Sequence, residues 1–152
     1  MEYQRRLAED PALAIVVTGD FNDDMQDRIP MDVALFRTNM AEVVEKGDRL
    51  FCLSAVKPEE GRRTFFYTGN QNKSWHSFDT VNVSRGLLPG GKPASRWEVD
   101  FDGCGVYVED AMRMKDTGAP YPARRNTHGE SPTYFYGYSD HFPVRATLRL
   151  RK

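Results

Sequence analysis

The spacing of apolar and polar positions changes several times along this chain, and each change predicts an element. Residues 2–9 carry a short helical pattern that stops near Pro11. Ala14-Ile15-Val16-Val17 is an unbroken apolar run ending at Gly19. Its length and β-branched residues predict a strand buried on both faces. Pro30 suits the first position of a helix. Beyond it Val33, Phe36, Met40, Val43 and Val44 recur at three and four residues, which predicts an amphipathic helix over residues 31–46 with Gly47 as its stop. Thr64-Phe65-Phe66-Tyr67-Thr68 reads as a strand and Gly69-Asn70-Gln71-Asn72 as a turn. Phe78 to Ser84 reads as another strand, and Gly86 to Pro93 as loop.

Residues 116–139 are rich in Pro, Gly, Asn, Thr and Tyr and predict a long surface loop. The chain closes with a clear alternation. Phe142, Val144, Ala146, Leu148 and Leu150 interleave with Pro143, Arg145, Thr147, Arg149 and Arg151, giving one buried face and one wet, basic face. Helix, strand, helix and then mostly strands predict an α+β layered domain.

Composition narrows the class. The 152 residues are 39% hydrophobic, 12% aromatic and 28% charged, which fits one globular domain and excludes a disordered, collagen-like or coiled-coil chain. Lys and Arg total 21 against 22 Asp and Glu, a net charge of −1. No global positive field draws the chain to nucleic acid, so any such binding must be local. No apolar run approaches the roughly 18 residues of a membrane span. The first eleven residues lack the charged-then-apolar order of a signal peptide, so the chain as written is expected in the cytoplasm. Cys52 and Cys104 lie in no CxxC or Cys/His cluster and read as two small core residues.

Three short stretches concentrate polar residues at strand ends. In Gly19-Asp20-Phe21-Asn22-Asp23-Asp24, Gly19 allows close backbone approach or a tight turn. Asp20 and Asn22 would point the same way from an extended segment. A carboxylate and an amide oxygen on one face suit a hard divalent cation or a polarised water. A helix–loop–helix calcium site is excluded, because Met25 and Met31 stand where its glycine and bidentate acid belong. Asp23 or Asp24 would cap a helix. In Ser139-Asp140-His141-Phe142-Pro143-Val144, Asp140 and His141 can serve one site only if Asp140 sits on the turn before the strand. The alternative there is a solvated loop pair. In Ser77-Phe78-Asp79-Thr80-Val81-Asn82-Val83-Ser84, Asp79 lies within an apolar strand and needs a partner. An imidazole is one, because an aspartate fixes its tautomer and stabilises its charged form. Turn capping or pairing with an arginine is the alternative.

Taken in order, Val-Val-Thr-Gly-Asp20-Phe-Asn22, Ser-Phe-Asp79-Thr-Val-Asn-Val-Ser and Tyr-Ser-Asp140-His141-Phe-Pro-Val resemble the endonuclease/exonuclease/phosphatase superfamily, which includes deoxyribonuclease I. The match runs from about residue 2 to the C-terminus and is weakest over residues 89–135. The resemblance implies a phosphoester hydrolase using Mg²⁺ or Mn²⁺. Asp20 would orient or deprotonate the attacking water, and Asn22 would hold the phosphate or a second metal. Asp140 would contribute to the metal site and His141 would hydrogen-bond the scissile phosphate. Asp79 resembles the strand aspartate that pairs with the catalytic histidine. A phosphodiester is anionic and resists hydroxide; a divalent cation neutralises it for in-line attack. Arg124 and Arg125, with Tyr134 and Tyr136, could grip a phosphate chain or stack on bases, or form a solvated loop. A lipid or sugar phosphate is an open alternative to nucleic acid.

The family domain is roughly twice this length, and its early asparagine, glutamate and histidine motifs have no counterpart here. The resemblance therefore implies the C-terminal half of a four-layer α/β/β/α sandwich, mostly antiparallel or mixed in its sheet. Alone, that half would expose the apolar face that meets the other sheet, so a missing N-terminal half or self-association would cover it. Little or no activity is expected of these 152 residues by themselves. Many members with this Gly-Tyr-Ser-Asp-His-Phe-Pro-Val form are secreted, which sets secretion against the cytoplasmic default. The competing function is a non-catalytic, partner-binding half-domain of the same fold.

Overall fold

The computed structural model describes residues 2–67, 73–92, 95–120, 125–126, 133–134 and 139–152. Helix α1 (Glu2–Glu9) places Tyr3 and Leu7 on its buried face, while Glu2, Arg5, Arg6 and Glu9 pair with one another in solvent. Strand β1 (Val16–Asp20) leads out from it. A single π-helical turn (Ile29–Val33), strand β2 (Phe36–Arg37), helix α2 (Met40–Lys46) and strand β3 (Leu50–Cys52) follow. Strands β4 (Phe65–Tyr67) and β5 (Ser74–His76) form a hairpin, and β6 (Asp79–Ser84) follows. Strand β7 (Trp97–Val106), the short pair β8 (Arg125–Asn126) and β9 (Thr133–Tyr134), and β10 (Val144–Leu150) complete the order. No helix among the described residues is long and apolar enough to cross a membrane.

A four-stranded sheet runs β1-β6-β3-β2, antiparallel except for the β2–β3 pair. Strand β10 pairs antiparallel with β7 beside it. The mixed α/β architecture is compatible with the anticipated fold class. Val81 and Val83 of β6 face a core of Val43, Phe51, Leu53, Leu87, Leu88, Val99 and Cys104. A second cluster joins Tyr3 and Leu7 of α1 to Ala34, Phe36 and Leu50. Thr80, Asn82 and Ser84 of β6 are also buried. Ser84 Oγ donates to Leu13 O at 2.7 Å and accepts from Ile15 N–H at 2.9 Å. Cys52 and Cys104 are buried free thiols, as their small size suggested.

Several sequence expectations are corrected. The helix anticipated over residues 31–46 is interrupted, and only Met40–Lys46 is α-helical. Leu35 takes a positive φ of 48°, and Phe36 is drawn into β2, where it pairs with Leu50 and fills the second core cluster. Tertiary pairing here overrides a helical period. The stop at Gly47 holds: its φ of 76° lets its N–H close on Val43 O, while the Asn39 side chain caps the other end at Ala41 N–H. Strand β1 is not buried on both faces. Among the described residues it pairs with β6 alone, at the sheet edge, and Val16 is 45% exposed. On the last strand Phe142 is buried, but Ala146 and Leu150 are exposed. The register with β7 shifts between Arg145 and Thr147, which turns Ala146 out of the alternation. The turn at residues 69–72 and most of the 116–139 loop lie outside the described residues.

Candidate active site

Two strand ends and one turn build the site. Asp20 closes β1 and Asp79 opens β6, and the antiparallel register sets them directly opposite each other. The chain leaves β1 through a hydrogen bond from Phe21 N–H to Phe78 O at 2.9 Å. Asn22 then turns with a φ of 53°, and its N–H donates to Asp20 Oδ1 at 2.9 Å. The segment is therefore a turn rather than extended, and Asn22 takes a left-handed step that asparagine tolerates well. Gly19 is not needed for close approach, since nothing lies within 4 Å of where its Cβ would stand.

Asp79 meets an imidazole. His141 Nδ1 lies 2.6 Å from Asp79 Oδ2, with both side chains about four-fifths buried. Asp140 is half-buried on the bend before His141, so the turn-before-strand condition is met, and β10 begins only at Val144. One ligand atom each from Asp20, Asp79 and His141 lie within 4.8 Å of one another, and Asp140 is not among these three. Two carboxylates and an imidazole are a donor set that a divalent metal accepts.

Thr64 ties the site together and was invisible in the sequence. It is fully buried. Its N–H donates to His76 O at 2.9 Å, its O accepts from Phe142 N–H at 2.8 Å, and its Oγ1 accepts from Asp79 N–H at 3.2 Å. A second aspartate–histidine pair was also missed. Asp24 Oδ2 lies 2.8 Å from His76 Nδ1, and its Oδ1 accepts from Ser77 N–H at 2.7 Å. Asp24 thus clamps the loop after Asp20 onto the β5–β6 connection rather than capping a helix. Asp24 and His76 are 52 residues apart, so no local spacing could have paired them. Arg124 and Tyr136 lie outside the described residues. Arg125 and Tyr134 are backbone partners across the β8–β9 pair, and their side chains are not described.

The sequence profile of the endonuclease/exonuclease/phosphatase family matches residues 4–150. The chain belongs to that family. No curated protein and no solved structure matches it. Membership in the endonuclease/exonuclease/phosphatase family supports hydrolytic chemistry on phosphoesters.

Proposed function

We propose that this domain is a Mg²⁺- or Mn²⁺-dependent phosphoester hydrolase, a phosphodiesterase of the nuclease type, with its centre at Asp20, Asn22, Asp79, Asp140 and His141. The observation that carries the reading is the convergence of Asp20, Asp79 and His141 within 4.8 Å at the end of one sheet. When bound, the cation would supply charge neutralisation of the phosphate and a more acidic water. Asp20, the most exposed of the three, would hold it and orient the attacking water. Asn22 and Asp140 flank the cluster in sequence and would complete the binding of metal and phosphate. Asp79 holds the His141 ring by Nδ1, so Nε2 is the atom left to face the scissile phosphate, where it would donate from a ring protonated on both nitrogens. The sheet would form one half of the two-sheet sandwich typical of the family. A phosphoester, whether in nucleic acid or in a small or lipid phosphodiester, is the partner this chemistry implies.

The deciding test is a Mn²⁺ titration followed by water-proton relaxation, with wild type beside Asp20→Ala. Saturable binding in wild type, weakened at least tenfold in the variant, is expected. Absence of binding at millimolar Mn²⁺, or equal binding by Asp20→Ala, would overturn the metal-dependent reading and favour a non-catalytic module. Turnover of bis(p-nitrophenyl) phosphate by the intact gene product, lost in the same variant, completes the test.

A further inference from the structure

The β4–β5 hairpin carries different chemistry on its two faces. One face presents Phe65 and His76 toward His141. The other presents Trp75, whose ring packs against Phe66 and lies nearly parallel to Phe142, at 18° with centroids 6.2 Å apart. Beside these rings opens a cavity of about 430 Å³, within the size range of small-ligand sites. Glu60, Arg63, Trp75, Val106, Arg113 and Phe142 line it.

Among the described residues its two guanidinium groups are poorly matched. The Nε of Arg63 is buried and has no hydrogen-bond partner, and its only ion pair among the described residues is a 3.4 Å contact with the exposed Glu59. Arg113 sits over the Phe142 ring at 5.7 Å from its centroid and pairs with no described carboxylate. Glu60 leaves the lining with one excess positive charge. Among the described residues these two guanidinium groups have little carboxylate pairing, and planar guanidinium groups suit phosphate oxygens. The Trp75 ring offers a stacking surface next to them.

We infer that this cavity binds a nucleotide, with the phosphate on Arg63 and Arg113 and the base stacked on Trp75. The inference deepens the phosphoester reading by naming a nucleotide-bearing substrate. Phe142, which lines the cavity, is the residue after His141, so the nucleotide would sit beside the proposed centre rather than at it. A free mononucleotide and a residue within a strand share this chemistry.

Fluorescence of Trp75 tests it without metal or turnover. In a Trp97→Phe background with EDTA present, the chain is titrated with thymidine 5′-monophosphate, a short thymidine oligonucleotide, thymidine and inorganic phosphate. Saturable quenching by the two nucleotide probes is expected, at least tenfold weaker for thymidine and phosphate and weakened by added salt. Tighter binding of the oligonucleotide identifies a strand as the source, and tighter binding of the monophosphate a free nucleotide. Arg113→Gln should weaken quenching several-fold, and Arg63→Lys, which keeps the charge but removes Nε, guards against a folding defect in an Arg63→Ala chain. No saturable quenching, equal affinity for inorganic phosphate, or full affinity in both arginine variants would overturn the inference. Because no hydrolysis is read, loss of the Mn²⁺ site would leave this result unchanged.

Discussion

His76 and His141 lie on either side of Phe65, His76 as its partner across the β4–β5 hairpin and His141 through an isolated antiparallel bridge. Each imidazole is held through Nδ1 by an aspartate, Asp24 for His76 and Asp79 for His141. The rings form a continuous stack. His76 lies on Phe78 at 4.7 Å, Phe78 on Phe65 at 5.5 Å, and Phe65 beside His141 at 4.6 Å. Phe78 O also receives the N–H of Phe21, the residue after Asp20. The Asp24–His76 clamp, the aromatic stack and the proposed centre are therefore one contiguous packing unit.

That continuity predicts a positioning effect from a pair outside the centre. Asp24→Asn keeps an acceptor for Ser77 N–H but removes the carboxylate from His76. A several-fold weakening of Mn²⁺ binding is expected, with a stability loss of roughly 1–3 kcal/mol in urea unfolding. His76→Gln alone, which can still donate to Asp24, should lose less of both than Asp24→Asn. Mn²⁺ affinity unchanged in Asp24→Asn would show that the clamp serves stability alone.

Asp79→Asn isolates the imidazole's orienting carboxylate. The backbone bond from Asp79 N–H to Thr64 Oγ1 survives the change, so the strand should stay in place. In the intact enzyme kcat for a phosphodiester should fall by roughly 10²–10⁴, the usual span for acid–base groups, with little change in KM. A variant with wild-type kcat would remove Asp79 and His141 from the reaction.

The parts of this molecule legible in the sequence were those set by local chemistry. Gly47 stops a helix because its own backbone takes the left-handed turn, and Tyr3 and Leu7 share a face because they are four apart. Asp20, Asp79 and His141 stood out because each polar group sits at the end of an apolar segment. What was hidden depends on pairing across the fold. Phe36 fits a helical period perfectly well, yet it pairs with Leu50. Strand β7 carries its own alternation, Trp97, Val99 and Phe101 against Glu98, Asp100 and Asp102, a signal that could have placed it. Thr64, Asp24 and His76 carry no such signal, since their partners lie across other strands.

Tyr3 gives the fold an alkaline weakness. Its ring is 9% exposed at the junction of α1 and the second core cluster, and its hydroxyl donates to Ala34 O. Burial pushes its phenol up to about 12 from the usual 10. Below pH 10 the phenol is protonated in both states and adds no pH dependence. Between pH 10 and 12 the unfolded chain has lost a proton that the folded chain retains, so the folded state binds more protons and stability falls as pH rises. At the middle of that window the loss should be about 1 kcal/mol. Burial also raises the Cys52 and Cys104 thiols, which steepens the same limb from about their ordinary range. The Tyr3 share is therefore read from a difference. Tyr3→Phe should be less stable than wild type by a constant amount below pH 10, because Ala34 O loses its donor. Above that, urea midpoints of the two chains should converge as wild type alone pays the ionisation of its unfolded phenol. Midpoints that fall in parallel to pH 11.5 would show that the Tyr3 phenol titrates normally in the folded state.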